Sequence, residues 1–191
     1  MVGKYCDLSD SYLSVLKALT HSGIHLQRNV NIVWIESTDL EDKDESSEAF
    51  QKLMKADGVV VPGGFGTRGV EGKIIASKYC RENGKPYLGV CLGMQVMVME
   101  YARHVLGIEG ATSEELTKES NEGKKGPSDE HAIVFMPEGS KTKMGGTMRL
   151  GSRETIIKAD TLANKVYAGA ESGTTISERH RHRYEVNPDM I

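Results

Sequence analysis

The chain has 191 residues, with 24 basic against 27 acidic side chains and a formal net charge of −3. That length supports one domain with a core large enough to need no covalent staple, and the interspersed charges leave no nucleic-acid footprint. Cys6, Cys80 and Cys91 are too few and too scattered for a disulfide framework or a zinc site, which points to a reducing compartment. No stretch approaches the ~20 apolar residues of a membrane span, and Met1 is not followed by a signal-type apolar core, so the cytoplasm is the expected location.

Residues 2–5 read as the end of a strand. Asp7 or Ser9 suits the cap of a helix whose Tyr12, Leu13, Val15, Leu16 and Leu19 make an apolar face, with Ser22-Gly23 as its stop. Residues 31–35 read as a second strand. A polar, acidic loop over 37–48 leads into a helix over 48–56. Residues 57–62 form a strand of the fully buried type and close on Gly63-Gly64-Phe65-Gly66, and a helix follows over 70–82. Residues 85–90 are short, apolar and opened by proline, as a buried strand should be, while 94–103 are good helix formers without a breaker. Such strand–helix alternation predicts an α/β fold with an open, mainly parallel central sheet flanked by helices. Ligands then sit at the carboxyl ends of the strands, where both Gly63-Gly64 and Cys91 fall.

After about residue 107 the character changes. Residues 112–131 are mixed-charge and breaker-rich, the pattern of a surface insertion. Strands are expected over 132–136, 147–150 and 155–158, with Gly145-Gly146 between the first two, as a small antiparallel ribbon in the C-terminal third. The run Arg179-His180-Arg181-His182-Arg183-Tyr184-Glu185 admits two readings. One is phosphate or metal binding; the other is a solvated, salt-bridged face.

The most informative stretch is Gly89-Val90-Cys91-Leu92-Gly93, at the junction of a strand and a helix. Glycines at minus two and plus two allow the tight turn of a nucleophile elbow, here with a thiol. The thiol faces a helix N-terminus, whose unpaired N–H groups favour negative charge by up to ~2 kcal/mol in a partly buried site. A thiol activated for attack normally needs a histidine neighbour as well. The alternative is that Cys91 is a buried small hydrophobe, as most lone cysteines are.

Four segments carry a resemblance: Pro62-Gly-Gly-Phe-Gly-Thr-Arg-Gly-Val-Glu-Gly-Lys73, Gly89-Val-Cys-Leu-Gly-Met-Gln95, Met144-Gly-Gly-Thr-Met-Arg-Leu-Gly151 and Glu178-Arg-His-Arg-His-Arg-Tyr-Glu-Val-Asn-Pro188. In this order they resemble the glutaminase domain of the CTP synthases, a flavodoxin-like class I glutamine amidotransferase. The resemblance implies hydrolysis of L-glutamine to glutamate and ammonia, with Cys91 as nucleophile and the N–H groups of Gly64 and Leu92 as the oxyanion hole. Gln95, Glu115 and Arg183 match positions that hold the polar ends of glutamine, and Gly63, Phe65, Gly93, Met94 and Tyr184 match the surrounding binding positions. Arg68, Gly69 and Glu71 match a mobile lid linked in the family to activation by GTP; the alternative reading is an ordinary glycine-rich helix start. The glutaminase step takes no cofactor and no metal. In the family, ammonia passes to an amidoligase domain that uses ATP and Mg to convert UTP to CTP, and that domain also makes the homo-oligomer.

In the family, the catalytic His and Glu belong to a His-Pro-Glu segment beyond the basic run. None of His21, His25, His104, His131, His180 and His182 is followed by Pro-Glu. The expectation is therefore that residues 1–191 form a single glutamine amidotransferase domain short of that segment, without the amidoligase domain and slow in turnover by itself. The competing expectation is a catalytically inactive glutamine-binding or docking module of the same fold.

Overall fold

A computed structural model describes residues 1–6, 8–120, 131–136, 148–167 and 174–190. The chain divides into two compact units, Met1–Val134 with the chain from Val186 onward, and Phe135–Glu185.

In the first unit, β-branched residues build short parallel strand pairs. β1 (Val2–Gly3) runs parallel to β2 (Ile35–Glu36), with Val2 opposite Ile35. β3 (Val59–Val61) runs parallel to β4 (Tyr87–Gly89), with Val61 opposite Gly89. β5 (Thr112–Ser113) runs parallel to β6 (His131–Phe135). Parallel pairing needs crossover connections: α1 (Leu13–His25) lies between β1 and β2, α3 (Val70–Glu82) between β3 and β4 and α5 (Glu114–Ser120) between β5 and β6, while α2 (Glu48–Lys55) and α4 (Leu92–His104) lead from one pair to the next. Ser47 caps α2, its Oγ accepting the Phe50 N–H at 3.2 Å, and Phe50 and Leu53 face inward. Val2, Leu53, Val61, Ala76, Val96 and Met99 are fully buried; burying a Val, Leu or Met side chain contributes about 1.5–3 kcal/mol. No helix is long and apolar enough to cross a membrane among the described residues.

Three expectations for this unit are refined. The second strand is Ile35–Glu36 rather than 31–35, so only Ile35 of the expected stretch lies in it. α1 continues past Ser22-Gly23 to His25; a Cβ at Gly23 would stand 2.8 Å from the Arg28 carbonyl oxygen and from Val30 Cγ2, so this glycine serves close approach rather than termination. The stretch expected as an insertion begins with β5 and α5, while its residues 121–130 lie outside the described residues. Asp7 and Gly145-Gly146 also lie outside them.

In the second unit the antiparallel ribbon is a long hairpin. β7 (Arg149–Ile157) pairs with β8 (Thr174–His182), Arg149 opposite His182 and Ile157 opposite Thr174. The segments expected as two strands, 147–150 and 155–158, thus contribute to one strand, and its partner takes in the His-rich run. Residues 132–136 do not join the ribbon: β6 pairs with β5 instead. α6 (Leu162–Tyr167) and β9 (Tyr184–Val186) follow β7 and β8. The N–H of Met136 donates to the Arg183 carbonyl at 2.9 Å, and the rings of Phe135 and Tyr184 meet edge to face at 5.5 Å. His180 Nδ1 lies 3.0 Å from His182 Nε2. Burial, with Arg149 and His180 beside it, holds His182 below the usual histidine range.

Candidate active site

The elbow forms for steric reasons. A Cβ at Gly93 would fall 1.9 Å from the Val61 carbonyl oxygen, and a Cβ at Gly89 would fall 2.5 Å from the Gly93 carbonyl group. Only hydrogen fits at either position, so β3, β4 and the first turn of α4 close on one another. The Val90 N–H donates to the Val61 carbonyl at 2.9 Å and the Tyr87 hydroxyl to the Gly93 carbonyl at 2.8 Å. Between the two glycines Cys91 caps α4 with φ 56° and ψ −113°, a conformation that costs about 1–3 kcal/mol in an L residue. Cys91 is exposed, whereas Cys80 is buried and Cys6 partly so. The buried-hydrophobe reading of Cys91 is therefore not the one the fold adopts.

The turn after β3 stands against the thiol. A Cβ at Gly63 would lie 3.2 Å from Cys91 Cβ and 3.6 Å from Sγ, and one at Gly64 would lie 3.7 Å from Leu92 Cδ2. Gly63 and Gly64 are thus brought to the nucleophile elbow, and Leu92 supplies a first-turn amide of α4, of the kind that has no partner within a helix. Gly93, Met94 and Gln95 continue the same turn, with Gln95 only 7% exposed. Phe65 is 84% exposed. Glu115 occupies the first turn of α5, its N–H donating to Ser113 Oγ at 3.2 Å. Arg183 and Tyr184 belong to the second unit, Arg183 following β8 and Tyr184 opening β9.

The residues matched to a lid are held by named partners. Arg68 donates from Nη2 to the Lys4 carbonyl at 2.6 Å, reaches Glu36 at 3.4 Å and lies over the Tyr5 ring at 5.2 Å. Gly69, at φ 73°, starts α3 in the left-handed conformation. Glu71 accepts two bonds from Arg103, both 2.9 Å.

Two lysines escaped the sequence reading. Lys4 is 2% exposed and donates from Nζ to the carbonyls of Phe65 and Gly66 at 2.5 and 2.6 Å, tying β1 to the glycine turn. Lys73 is fully buried in the first turns of α3. A charge at the end of a buried strand is the signal that marks Lys4; the pattern around Lys73 gives none.

Within the first unit no histidine among the described residues hydrogen-bonds to Cys91 Sγ. His104 sits at the far end of α4, some 20 Å along a helix of this length, with its ring against Glu100 at 3.2 Å. His131 meets Thr117 Oγ1 at 3.3 Å. A cavity of about 630 Å³, lined by residues that include Met1, Leu19, Val33, Val59 and Tyr87, contains none of the site residues.

A strained cysteine between two sterically required glycines, facing a Gly-Gly turn at the ends of parallel strands, defines a class of protein. Residues 7–191 match the family model described as glutamine amidotransferase class-I, and the chain belongs to that family. Its relatives include the CTP synthase of Eremothecium gossypii, 52% identical over 200 residues, and that of Dictyostelium discoideum, 50% identical over 196. Each alignment covers 100% of this chain and 33% of the relative, so the chain spans about a third of the length of these relatives. Among solved structures, the glutaminase domain of Trypanosoma brucei CTPS with bound acivicin matches with a TM-score of 0.78 and 38% identity, covering 97% of this chain and 66% of the other.

Proposed function

We propose that this chain hydrolyses L-glutamine to glutamate and ammonia, and that the ammonia serves the amination of UTP to CTP by an amidoligase domain using ATP and Mg. The observation that carries this reading is the Gly63–Cys91 approach. The sulfur stands beside the Gly63-Gly64 turn, 3.6 Å from the space a Cβ at Gly63 would fill. Cys91 attacks the side-chain carboxamide carbon, and the oxygen moves toward the N–H groups of Gly64 and Leu92. Losing one such donor costs about 10²–10³ in rate. Glu115 and Arg183 are suited by charge to the α-ammonium and α-carboxylate of the substrate, with Gln95, buried on α4, as a further polar group. Gly63, Phe65, Gly93, Met94 and Tyr184 complete the binding set. Arg68, Gly69 and Glu71 form the segment through which GTP would act.

The step also needs a base to take the thiol proton and an acid for the departing ammonia. Among the described residues no first-unit histidine makes that contact, which favours a second reading, a glutamine-binding module without turnover. The two readings separate in an ammonia-release assay on the full-length protein that carries this chain. The enzyme reading expects glutamine-dependent ammonia that is abolished in C91S. Ammonia release that persists in C91S overturns the nucleophile assignment, and glutamine binding without ammonia release in the unaltered protein establishes the module.

A further inference from the structure

Behind the Gly63–Gly64 turn lies a charge that the proposed reaction does not use. Lys73 has none of its surface exposed, and its Nζ is buried without a hydrogen-bond partner among the described residues. The space a Cβ at Gly64 would fill is 3.6 Å from that nitrogen, and the space a Cβ at Gly63 would fill is 3.6 Å from Cys91 Sγ. The turn's backbone therefore separates an ammonium on one side from a thiol on the other. Holding an ammonium unpaired in the interior is costly, whereas an apolar side chain of similar volume would carry no such penalty. The position gains from the charge only if something nearby is negative.

The groups that face Lys73 are few. Lys4 at the end of β1 is engaged with the carbonyls of Phe65 and Gly66. Glu36 at the end of β2 is bridged by Arg68 at 3.4 Å. Glu41, from the 3-10 turn Ser37–Leu40 and its C-cap, approaches α3 at Gly72. The Cys6 thiol is pushed up to about 11 by burial, with Glu36 adding to it, and so is neutral near pH 7. Cys91 shares this field with Glu36 and Cys6, and it is the acid on the far side of the Gly63–Gly64 turn.

We propose that Lys73 is a positioning residue of the glutaminase site, whose ammonium acts across the Gly63–Gly64 backbone to stabilise negative charge on Cys91 Sγ and then on the oxygen held by the Gly64 N–H. This rests on the reading of Cys91 as nucleophile. Lys73 makes and breaks no bond and transfers no proton; it supplies field. Burial first, and the Lys4 ammonium second, push the Lys73 amine down to about 8. The field is therefore present at neutral pH and fades above pH 8.

The test is the rate at which iodoacetamide modifies Cys91 between pH 6 and 9.5, read by mass spectrometry on the peptide carrying residue 91. It is done in the unaltered chain and in K73M and K73R. An opposite charge at close range favours the ionised form by one to three pH units in direct contact. Across a backbone we expect the K73M curve to move about one unit to the alkaline side, with labelling about tenfold slower at pH 7. K73R keeps the charge and should stay within about threefold of the unaltered rate. A K73M curve superimposable on the unaltered one overturns the proposal. Should K73M not fold, the unaltered chain decides: loss of the Lys73 proton should make its rate rise less steeply between pH 7 and 9 than one ionisation allows, and a single-ionisation curve overturns the proposal by itself. Alkylation needs no glutamine, so failure here leaves the glutaminase reading standing, while ammonia release surviving in C91S removes Cys91 as nucleophile without altering these curves.

Discussion

Gly93 and Val61 touch so closely that a β-carbon on the first would stand 1.9 Å from the carbonyl oxygen of the second. This contact seats α4 on β3 and lifts Cys91 out of the sheet. Gly93→Ala is therefore expected to lower stability by more than ~3 kcal/mol or to prevent folding, because the opposing atom is backbone and cannot swing aside. Gly84→Ala is the control: Gly84 has φ 61° but nothing within 4 Å of its would-be Cβ, so only the left-handed backbone opposes it, at about 1–2 kcal/mol. Urea unfolding of both variants checks this, and equal losses would contradict it.

Away from the elbow, α3 and α4 are clasped through Glu100. Its carboxylate is 1% exposed, receives Arg81 at 2.8 to 3.1 Å and lies 3.2 Å from His104. Removing one partner of a buried pair leaves a charge without compensation. Arg81→Met should cost about 2–4 kcal/mol, discounted from the fully buried case because Arg81 is itself a third exposed. Adding Glu100→Gln to it should restore part of that loss, giving a coupling that a double-mutant cycle reads directly. Additive losses would show that the clasp is not a stabilising pair.

The three thiols should differ in reactivity. Burial pushes both Cys6 and Cys80 up to about 11, while Cys91 is exposed. Since the thiolate is the reacting form, iodoacetamide at pH 7.5 should modify Cys91 at least tenfold faster than either of the others. Peptide mapping after timed quenching gives the three rates, and comparable rates at Cys6 would contradict the assignment of environments.

Lys73 also predicts a pH dependence of stability. Its folded-state value, about 8, lies below the ordinary lysine value of 10.5, so the unfolded chain holds the proton more tightly. The cost of the buried ammonium is full below pH 8 and is relieved as pH rises from 8 toward 10.5. K73M, which removes that cost, should be more stable than the unaltered chain by about 1–3 kcal/mol at pH 7, with the difference shrinking at pH 9. Above pH 9 the raised thiols of Cys6 and Cys80 act oppositely in both proteins and cancel in the comparison. A difference that is constant with pH would mean that Lys73 is not the group that titrates.

What the sequence made legible followed from local chemistry. Glycines two residues either side of Cys91 require a tight turn, and the unbroken apolar run before it requires a buried strand, so the elbow and its opposing turn could be read directly. α2 and α3 were equally readable: helices expected over 48–56 and 70–82 are found at Glu48–Lys55 and Val70–Glu82. Contacts made by distant segments were not. Gly23 looks like a helix stop but exists for the approach of Arg28 and Val30. The two strand fragments on either side of residues 151–154 join because β7 pairs with β8 in one continuous register, and β8 lies in a run whose charges suggest binding instead. Lys73 was invisible because nothing local distinguishes a lysine in the first turns of a surface helix from one that tertiary packing buries completely.

The central claim is that the sulfur of residue 91 meets the carboxamide carbon of glutamine with main-chain donors at Gly64 and Leu92. The most direct measurement is intact-mass and peptide analysis after incubation with a glutamine analogue that carries an electrophile at the carboxamide position, such as acivicin. One adduct per chain, confined to Cys91, suppressed by excess glutamine and absent in C91S, is the result expected. An adduct on Cys6 or Cys80, or labelling of Cys91 that glutamine does not protect, would contradict it.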